Sequence, residues 1–360
     1  MKINWVKKYL IYSIVLLLIV GLANFLLDPL QQYRKASFYK PYYTNSRFLN
    51  PGLIKSYDYD SFVLGSSMAQ NFILSDISHS LNFKKPIKLT SSGARANLLA
   101  LNMRAALQQK NIKKILLSLD FYAFSGNRDS FLQLDEVTPY YLYDNNYFND
   151  YLYLLNMDTL KAFIKTYIKQ ILNKDMVEFD YNKMYQWQHR FNEDDFNSAK
   201  VIAKWSNPET KFNRDFQSDD FSLENLKRNF RDSMMDIIES NPDVEFYILL
   251  PPYSVLAYVD AVNNKTFNDI LKFHEYISLN LLKYKNVKLF AFNSEEKIIV
   301  DLENYRDAFH PHQNINKWMV SKMSKGKYLV DRSNYMEYVS RLDEIVSNYI
   351  NKNIAGEKHL

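Results

Sequence analysis

Ser61-Phe62-Val63-Leu64-Gly65-Ser66-Ser67-Met68-Ala69-Gln70-Asn71-Phe72 is the stretch from which the rest of this chain is read. A short apolar run that breaks at a glycine reads as a buried strand. The helix-like segment after the two serines then puts a hydroxyl at a sharp strand-to-helix corner. Such a corner holds one side chain exposed at the end of a strand, the position a nucleophile needs. Far downstream, Asn304-Tyr305-Arg306-Asp307-Ala308-Phe309-His310-Pro311 supplies a carboxylate and an imidazole three positions apart, giving the chain order Ser, Asp, His. The plain alternative is a Gly-Ser-Ser turn and an unrelated surface histidine.

Outward from that corner the pattern alternates. Residues 62–65, 87–90, 114–119, 245–250 and 287–292 are the five predicted strands, and 98–109, 223–240 and 266–284 carry apolar residues at helical spacing. This predicts an α/β fold with a five-stranded parallel sheet between two layers of helices. Ligands of such sheets gather at the carboxyl ends of the strands, where Gly65-Ser66-Ser67, Ser91-Ser92-Gly93 and Pro251-Pro252-Tyr253 fall. The spacing between the third and fourth strands is far too long for one crossover, so about 125–220 reads as an inserted helical cap. Its Trp187, His189 and Trp205 either line a substrate groove or pack within the cap, the second being the plainer reading. Residues 314–323 read as a helix behind the Asp-His loop, and 335–351 as a closing amphipathic helix.

Composition narrows the class. The 28 Tyr and 24 Phe, together with abundant Lys, Asn and Ile, reflect general residue usage more than a binding signal, and most of those rings are expected in the core. A formal charge of +5 over 360 residues, with lysines interspersed among acids, gives no basic block for nucleic acid. With no cysteine, disulfides and thiolate metal sites are excluded, and no histidine pair stands at a metal-ligand spacing.

At the N-terminus, Lys2, Lys7 and Lys8 precede an apolar run over 9–27. At about 1.5 Å per residue that run is just long enough to cross a hydrocarbon core. The expected arrangement is a cytoplasmic 1–8, an anchor over 9–27, a Tyr-rich lead-in over 28–60 and the main domain over 61–360. A cleaved signal peptide is the rival, because Gly21-Leu22-Ala23 is small-x-small; the renewed apolar Phe25-Leu26-Leu27 favours retention. Asp28-Pro29 stops the helix. Basic residues on the two sides nearly balance, with Arg34, Lys35 and Lys40 on the far side, so they do not fix orientation.

Gly65 to Met68 with Asn71-Phe72, Leu119-Asp120-Phe121-Tyr122-Ala123-Phe124, Pro251-Pro252-Tyr253-Ser254, and Asp307 to His310 together resemble the SGNH (GDSL-like) hydrolase superfamily. Within it, the match is to poorly characterised bacterial SGNH-like envelope proteins, and more distantly to the lipoteichoic-acid D-alanylation and alginate O-acetylation proteins. The resemblance covers about 60–325 and implies a flavodoxin-like fold. It also implies Ser67 as nucleophile, His310 as base, Asp307 as its partner, and an oxyanion hole from the backbone of Ser67 and Gly93. Two departures stand out: Ser66 replaces the family's Asp, and Asp120 stands where an Asn donor is usual. Asn71 is a candidate substitute, and Ser66, Asn71, Asp120 and Tyr253 are the candidate substrate-binding residues. The family implies acyl transfer or ester hydrolysis on an envelope polysaccharide outside the cytoplasm. It works without cofactor or metal, and relatives work beside a membrane-bound O-acyltransferase. The alternative is an inactive scaffold or glycan-binding partner of such an enzyme.

Overall fold

Continuous apolar strands that are buried on both faces pair in parallel, because helices must cover both sides of the sheet they form. Phe62, Val63, Leu64, Ile115, Leu116, Leu117 and Ile248 are wholly buried and meet that condition. A computed structural model describes residues 2–127, 138–173, 175–207 and 219–353. Among them, six strands form one sheet: β1 (Ser61–Leu64), β2 (Pro86–Lys88), β3 (Lys114–Ser118), β4 (Glu245–Leu250), β5 (Val287–Ala291) and β6 (Leu329–Val330). Their order is β2-β1-β3-β4-β5-β6. The first five are parallel, with Phe62 opposite Ile87 on one side and Ile115 on the other.

The sheet corrects the expectation of five parallel strands. It is six-stranded and mixed, because β6 adds antiparallel to β5 with Leu289 opposite Val330 and Phe290 opposite Leu329. Two residues following Tyr328 at φ 62° carry no periodicity that sequence could reveal. Their pairing covers the β5 edge, which would otherwise present unpaired backbone groups.

Contacts divide the chain into two compact units, Met1–Asp58 with Val137–Met184, and Tyr59–Glu136 with Tyr185–Leu360. The insertion expected over 125–220 is therefore shared between them, and its parts at 128–137 and 208–218 lie outside the described residues. In the sheet unit, the helix Leu74–Leu81 packs on Gln313–Ser324, and Phe267–Leu281 packs on Leu223–Phe230 and Tyr335–Asn353. The helix expected over 223–240 contains a wide turn at Arg231–Met235, where the Ser233 hydroxyl donates to Asn229 O.

In the first unit, Asn4–Leu27 within the helix Lys2–Leu27 has a mean hydropathy of 2.6 and is long and apolar enough to cross a membrane. That helix ends where Asp28 takes φ 44° and its carboxylate collects the backbone N–H groups of Gln32, Tyr33 and Arg34. The Tyr153 hydroxyl adds a fourth bond at 2.8 Å, so the buried carboxylate is fully occupied.

Candidate active site

β1 delivers its last residue into a corner that only glycine can turn. A Cβ on Gly65 would stand 2.8 Å from the Ala69 Cβ and 3.0 Å from the Ser118 Cβ at the end of β3. Ser66 follows as the cap of a short turn over Ser67–Ala69, accepting from Met68 N at 3.3 Å. The same hydroxyl donates to Asp120 Oδ2 at 2.8 Å, and Asp120 Oδ1 accepts from Ala123 N at 3.0 Å. The corner after β1 is thereby fastened to the one after β3, the point at which the strand order reverses and where sheets of this kind open a crevice. Lys88 of β2, wholly buried, donates from Nζ to Gln70 O at 2.8 Å and Phe72 O at 2.7 Å, closing the loop from the other side.

Ser67 is the half-buried residue left at this corner, and its Oγ lies 2.9 Å from His310 Nε2. His310 Nδ1 is in turn 2.9 and 3.0 Å from the two oxygens of Asp307. A carboxylate facing Nδ1 holds the proton there and leaves Nε2 as the acceptor for the serine hydroxyl. The three groups thus stand in series within hydrogen-bond reach, the arrangement that activates an alcohol.

The loop bearing Asp307 and His310 is itself pinned. Arg306 N donates to His310 O at 3.0 Å across a Tyr305 to Pro311 bridge. Asp307 Oδ1 accepts from the backbone N–H of Phe309 at 2.9 Å and of His310 at 3.0 Å. The Ser254 hydroxyl holds Ala308 O at 2.8 Å, and the Tyr305 hydroxyl holds Pro252 O, so the loop leans on the segment after β4. Burial works to raise the Asp307 carboxyl. The His310 ring, the Arg306 guanidinium at 2.8 Å and the Phe309 amide outweigh it and hold the group well below the usual carboxylate range. Asp307 is therefore ionised wherever the protein is folded near neutrality.

His312, two residues on, has a different task. Its Nδ1 accepts from Asn314 N at 3.1 Å at the start of the helix Gln313–Ser324, so it caps that helix.

The remaining sequence candidates separate by burial. Ser66, Asn71, Asp120 and Tyr253 are all buried. Burial pushes the Asp120 carboxyl up, while Ser66, the Ala123 amide, the Tyr253 hydroxyl and the Arg95 charge pull the other way. The Tyr253 ring meets Phe121 and Phe309 edge-on at 5.1 and 5.5 Å. Asn71 faces the protein interior and not solvent: its Oδ1 accepts from the backbone N–H of Trp187 at 3.3 Å and Gln188 at 3.2 Å. Gly93 adopts φ 64° in the loop that Ser91 N ties to Gly65 O. Among the described residues the backbone N–H groups of Ser67 and Gly93 meet no acceptor.

Of the three aromatic cap residues singled out from sequence, Trp187 belongs to the site. Its Nε1 donates to Ser67 O at 3.0 Å and its ring meets the His310 ring edge-on at 5.4 Å. Arg306 lies against the rings of Trp187 and Phe191, 5.0 and 4.2 Å from their centres. Trp205 instead donates to Asp260 Oδ1 at 2.8 Å. Sequence reasoning passed over Arg306 and Lys88. Arg306 adjoins Asp307 in the chain, and Lys88 is a lone cation in a short strand, which by sequence reads equally well as a solvated edge.

No protein-family model matches this chain, and no curated protein is similar enough to stand as a relative.

Proposed function

We propose that this protein is a serine acyl esterase or O-acyltransferase that modifies a cell-envelope polysaccharide. In this reading the N-terminal helix anchors it in the membrane with the sheet unit outside the cytoplasm. The observation that carries the catalytic part is the unbroken series Ser67 Oγ, His310 Nε2, His310 Nδ1, Asp307, with contacts of 2.9 Å at each step. The order β2-β1-β3-β4-β5, that of flavodoxin-like sheets, and the resemblance of the quoted motifs to SGNH hydrolases support it.

In this mechanism His310 Nε2 takes the Ser67 hydroxyl proton as Oγ bonds to the acyl carbonyl carbon. Charge developing on the carbonyl oxygen is met by the N–H groups of Ser67 and Gly93. Collapse breaks the bond between acyl carbon and leaving oxygen, the imidazolium returns the proton to that oxygen, and the acyl group remains on Ser67. Water or a glycan hydroxyl, deprotonated by His310, then releases it; which acceptor reaches the ester decides between hydrolysis and transfer. No cofactor enters any step. A membrane-bound O-acyltransferase is the partner that the resemblance suggests as acyl source.

The second reading, a scaffold without chemistry, draws on Asp120 standing where an Asn donor is usual and being occupied by Ser66 and Ala123. A fluorophosphonate probe and a short-chain fluorogenic ester separate the two. The enzyme reading expects labelling of the wild type, none of Ser67→Ala, and hydrolysis lowered roughly a thousandfold or more in Ser67→Ala and His310→Ala. An unlabelled wild type with equal rates for all three proteins overturns it.

A further inference from the structure

Along the helix Met157–Leu172, apolar side chains point to water. Met157, Ile164, Ile168 and Ile171 recur at steps of seven, four and three, hence on one side of the helix. They are 44, 50, 50 and 62% exposed, while Phe163, on an adjoining side, is buried. Tyr147 and Phe148, just upstream, are more exposed still at 79 and 93%. A contiguous apolar surface of this kind is a contact surface.

The first unit itself says what covers it. Asn24, near the end of the apolar N-terminal helix, is wholly buried and donates from Nδ2 to Leu154 O at 2.8 Å and Asn156 O at 3.0 Å. A Cβ on Gly21 would meet Leu155 Cδ2 at 3.3 Å, so the corner leading into Met157–Leu172 lies directly against Gly21. Gly21 is six residues short of Leu27, about 9 Å back along the helix axis. The corner therefore sits level with the last turns of the apolar helix, not beyond them. Helices that lie in a membrane surface bury their apolar face about 5–10 Å into the boundary of headgroups and acyl chains, which is the same depth. Lys165, exposed, borders the stripe as a cation able to reach anionic headgroups, while Lys161 beside it is paired with Asp158 at 3.2 Å. Tyrosine, the exposed Tyr147 here, is a residue enriched at that level.

We propose that Met157–Leu172 and the turn before it form an in-plane membrane contact. The isoleucine face is seated in the lipid boundary of the leaflet where the N-terminal helix ends. This rests on reading that helix as a membrane span. Its occupant is lipid; a protein partner is the competing outcome.

The chain has no cysteine, so single introduced cysteines carry a fluorophore without background. The full-length protein is reconstituted in vesicles of phosphatidylcholine and phosphatidylglycerol, with nitroxide-bearing lipids as quenchers. The Ile171→Cys label is expected to shift to the blue and be quenched mainly by a nitroxide near the headgroup. The Leu17→Cys label is quenched mainly by one near the chain end. Ile164→Glu combined with Ile168→Glu, both at exposed positions, should cut the Ile171 quenching several-fold and leave that at Leu17 unchanged. Deep quenching at Leu17 with none at Ile171 overturns the contact and leaves the span standing. The same holds if the Ile171 label is shielded from both water and lipid, as a protein partner or a second copy would shield it. Absence of quenching at Leu17 removes the span and the contact with it.

Discussion

Asp307 holds His310 at Nδ1, and Arg306 holds Asp307. Replacing Asp307 with Asn keeps the size but offers Nδ1 an amide that does not favour its proton, so Nε2 loses its role as acceptor. Asp307→Asn is expected to lower kcat on the order of a thousandfold with Ser67 still present, measured by single-turnover ester hydrolysis. Arg306 touches Asp307, the Nδ1 side of His310 at 3.4 Å and two rings, but not Ser67 Oγ or His310 Nε2, and is a positioning residue. Arg306→Met should lower kcat several-fold with KM nearly unchanged, and Arg306→Lys should recover part of the loss; a change confined to KM would assign Arg306 to substrate instead. Asp260 offers a separate test. Burial pushes its carboxyl up to about 6, against the pull of the Trp205 N–H. An acid raised in the fold stabilises it most when protonated, so this contribution is complete below about pH 4 and is lost as pH climbs past about 6. Between pH 4 and pH 7 the wild type should lose about 2–3 kcal/mol relative to Asp260→Asn, read from denaturant titrations at both pH values. Parallel pH profiles for the two proteins would contradict the shift. At this scale Ser67, Asp307 and His310 were legible because each sits in a short motif with a fixed internal spacing. Lys88 was not, since one lysine in a strand reads equally well as a solvated edge.

The loop from Gly65 to Phe72 works as an element because its neighbours grip it. β2 supplies Lys88, β3 supplies Ser118 against Gly65, and the Tyr185 segment supplies Trp187 above Ser67 O, with Asn71 holding that segment's backbone. Lys88→Met keeps the length of the side chain and deletes the donor, leaving Gln70 O and Phe72 O buried without it. Each carbonyl left unsatisfied costs about 1–3 kcal/mol, so a loss of roughly 2–6 kcal/mol is expected in denaturant unfolding, with kcat falling as Ser67 loosens. Unchanged stability would mean that water replaces the ammonium. Asn71→Ala acts on the opposite side: it frees the Trp187 and Gln188 amides, and its effect should fall on kcat through the Trp187 contact with His310. The five parallel strands could be read because buried apolar runs alternate with helical spacing. β6 escaped because two residues have no period, and the wide turn at Arg231–Met235 because it leaves the apolar spacing of its helix intact.

Across the whole chain, Ser67 and His310 are 243 positions apart and meet through side chains alone. Their convergence was inferable only from the sheet that carries both, because strand ends share one rim whatever length of chain separates them. The division into two units was hidden for the converse reason. Residues 137–184 group with residues 1–58 across a long stretch of intervening chain, and no local pattern records such a contact. That grouping bears on the fate of the N-terminus. Cleavage after Gly21-Leu22-Ala23 would make Asn24 the first residue, yet Asn24 is wholly buried and bonded to Leu154 and Asn156, and Val20 and Gly21 before it are packed as well. A signal peptide is discarded and has no need of buried contacts with the mature chain, whereas an anchor that positions its unit has. Protein extracted from membranes should therefore give an intact mass that includes the apolar helix, and it should stay in the pellet through an alkaline carbonate wash. A mature chain that begins at Asn24, released by the same wash, would show that the helix is only a leader and that Leu154 to Asn156 pack on something else.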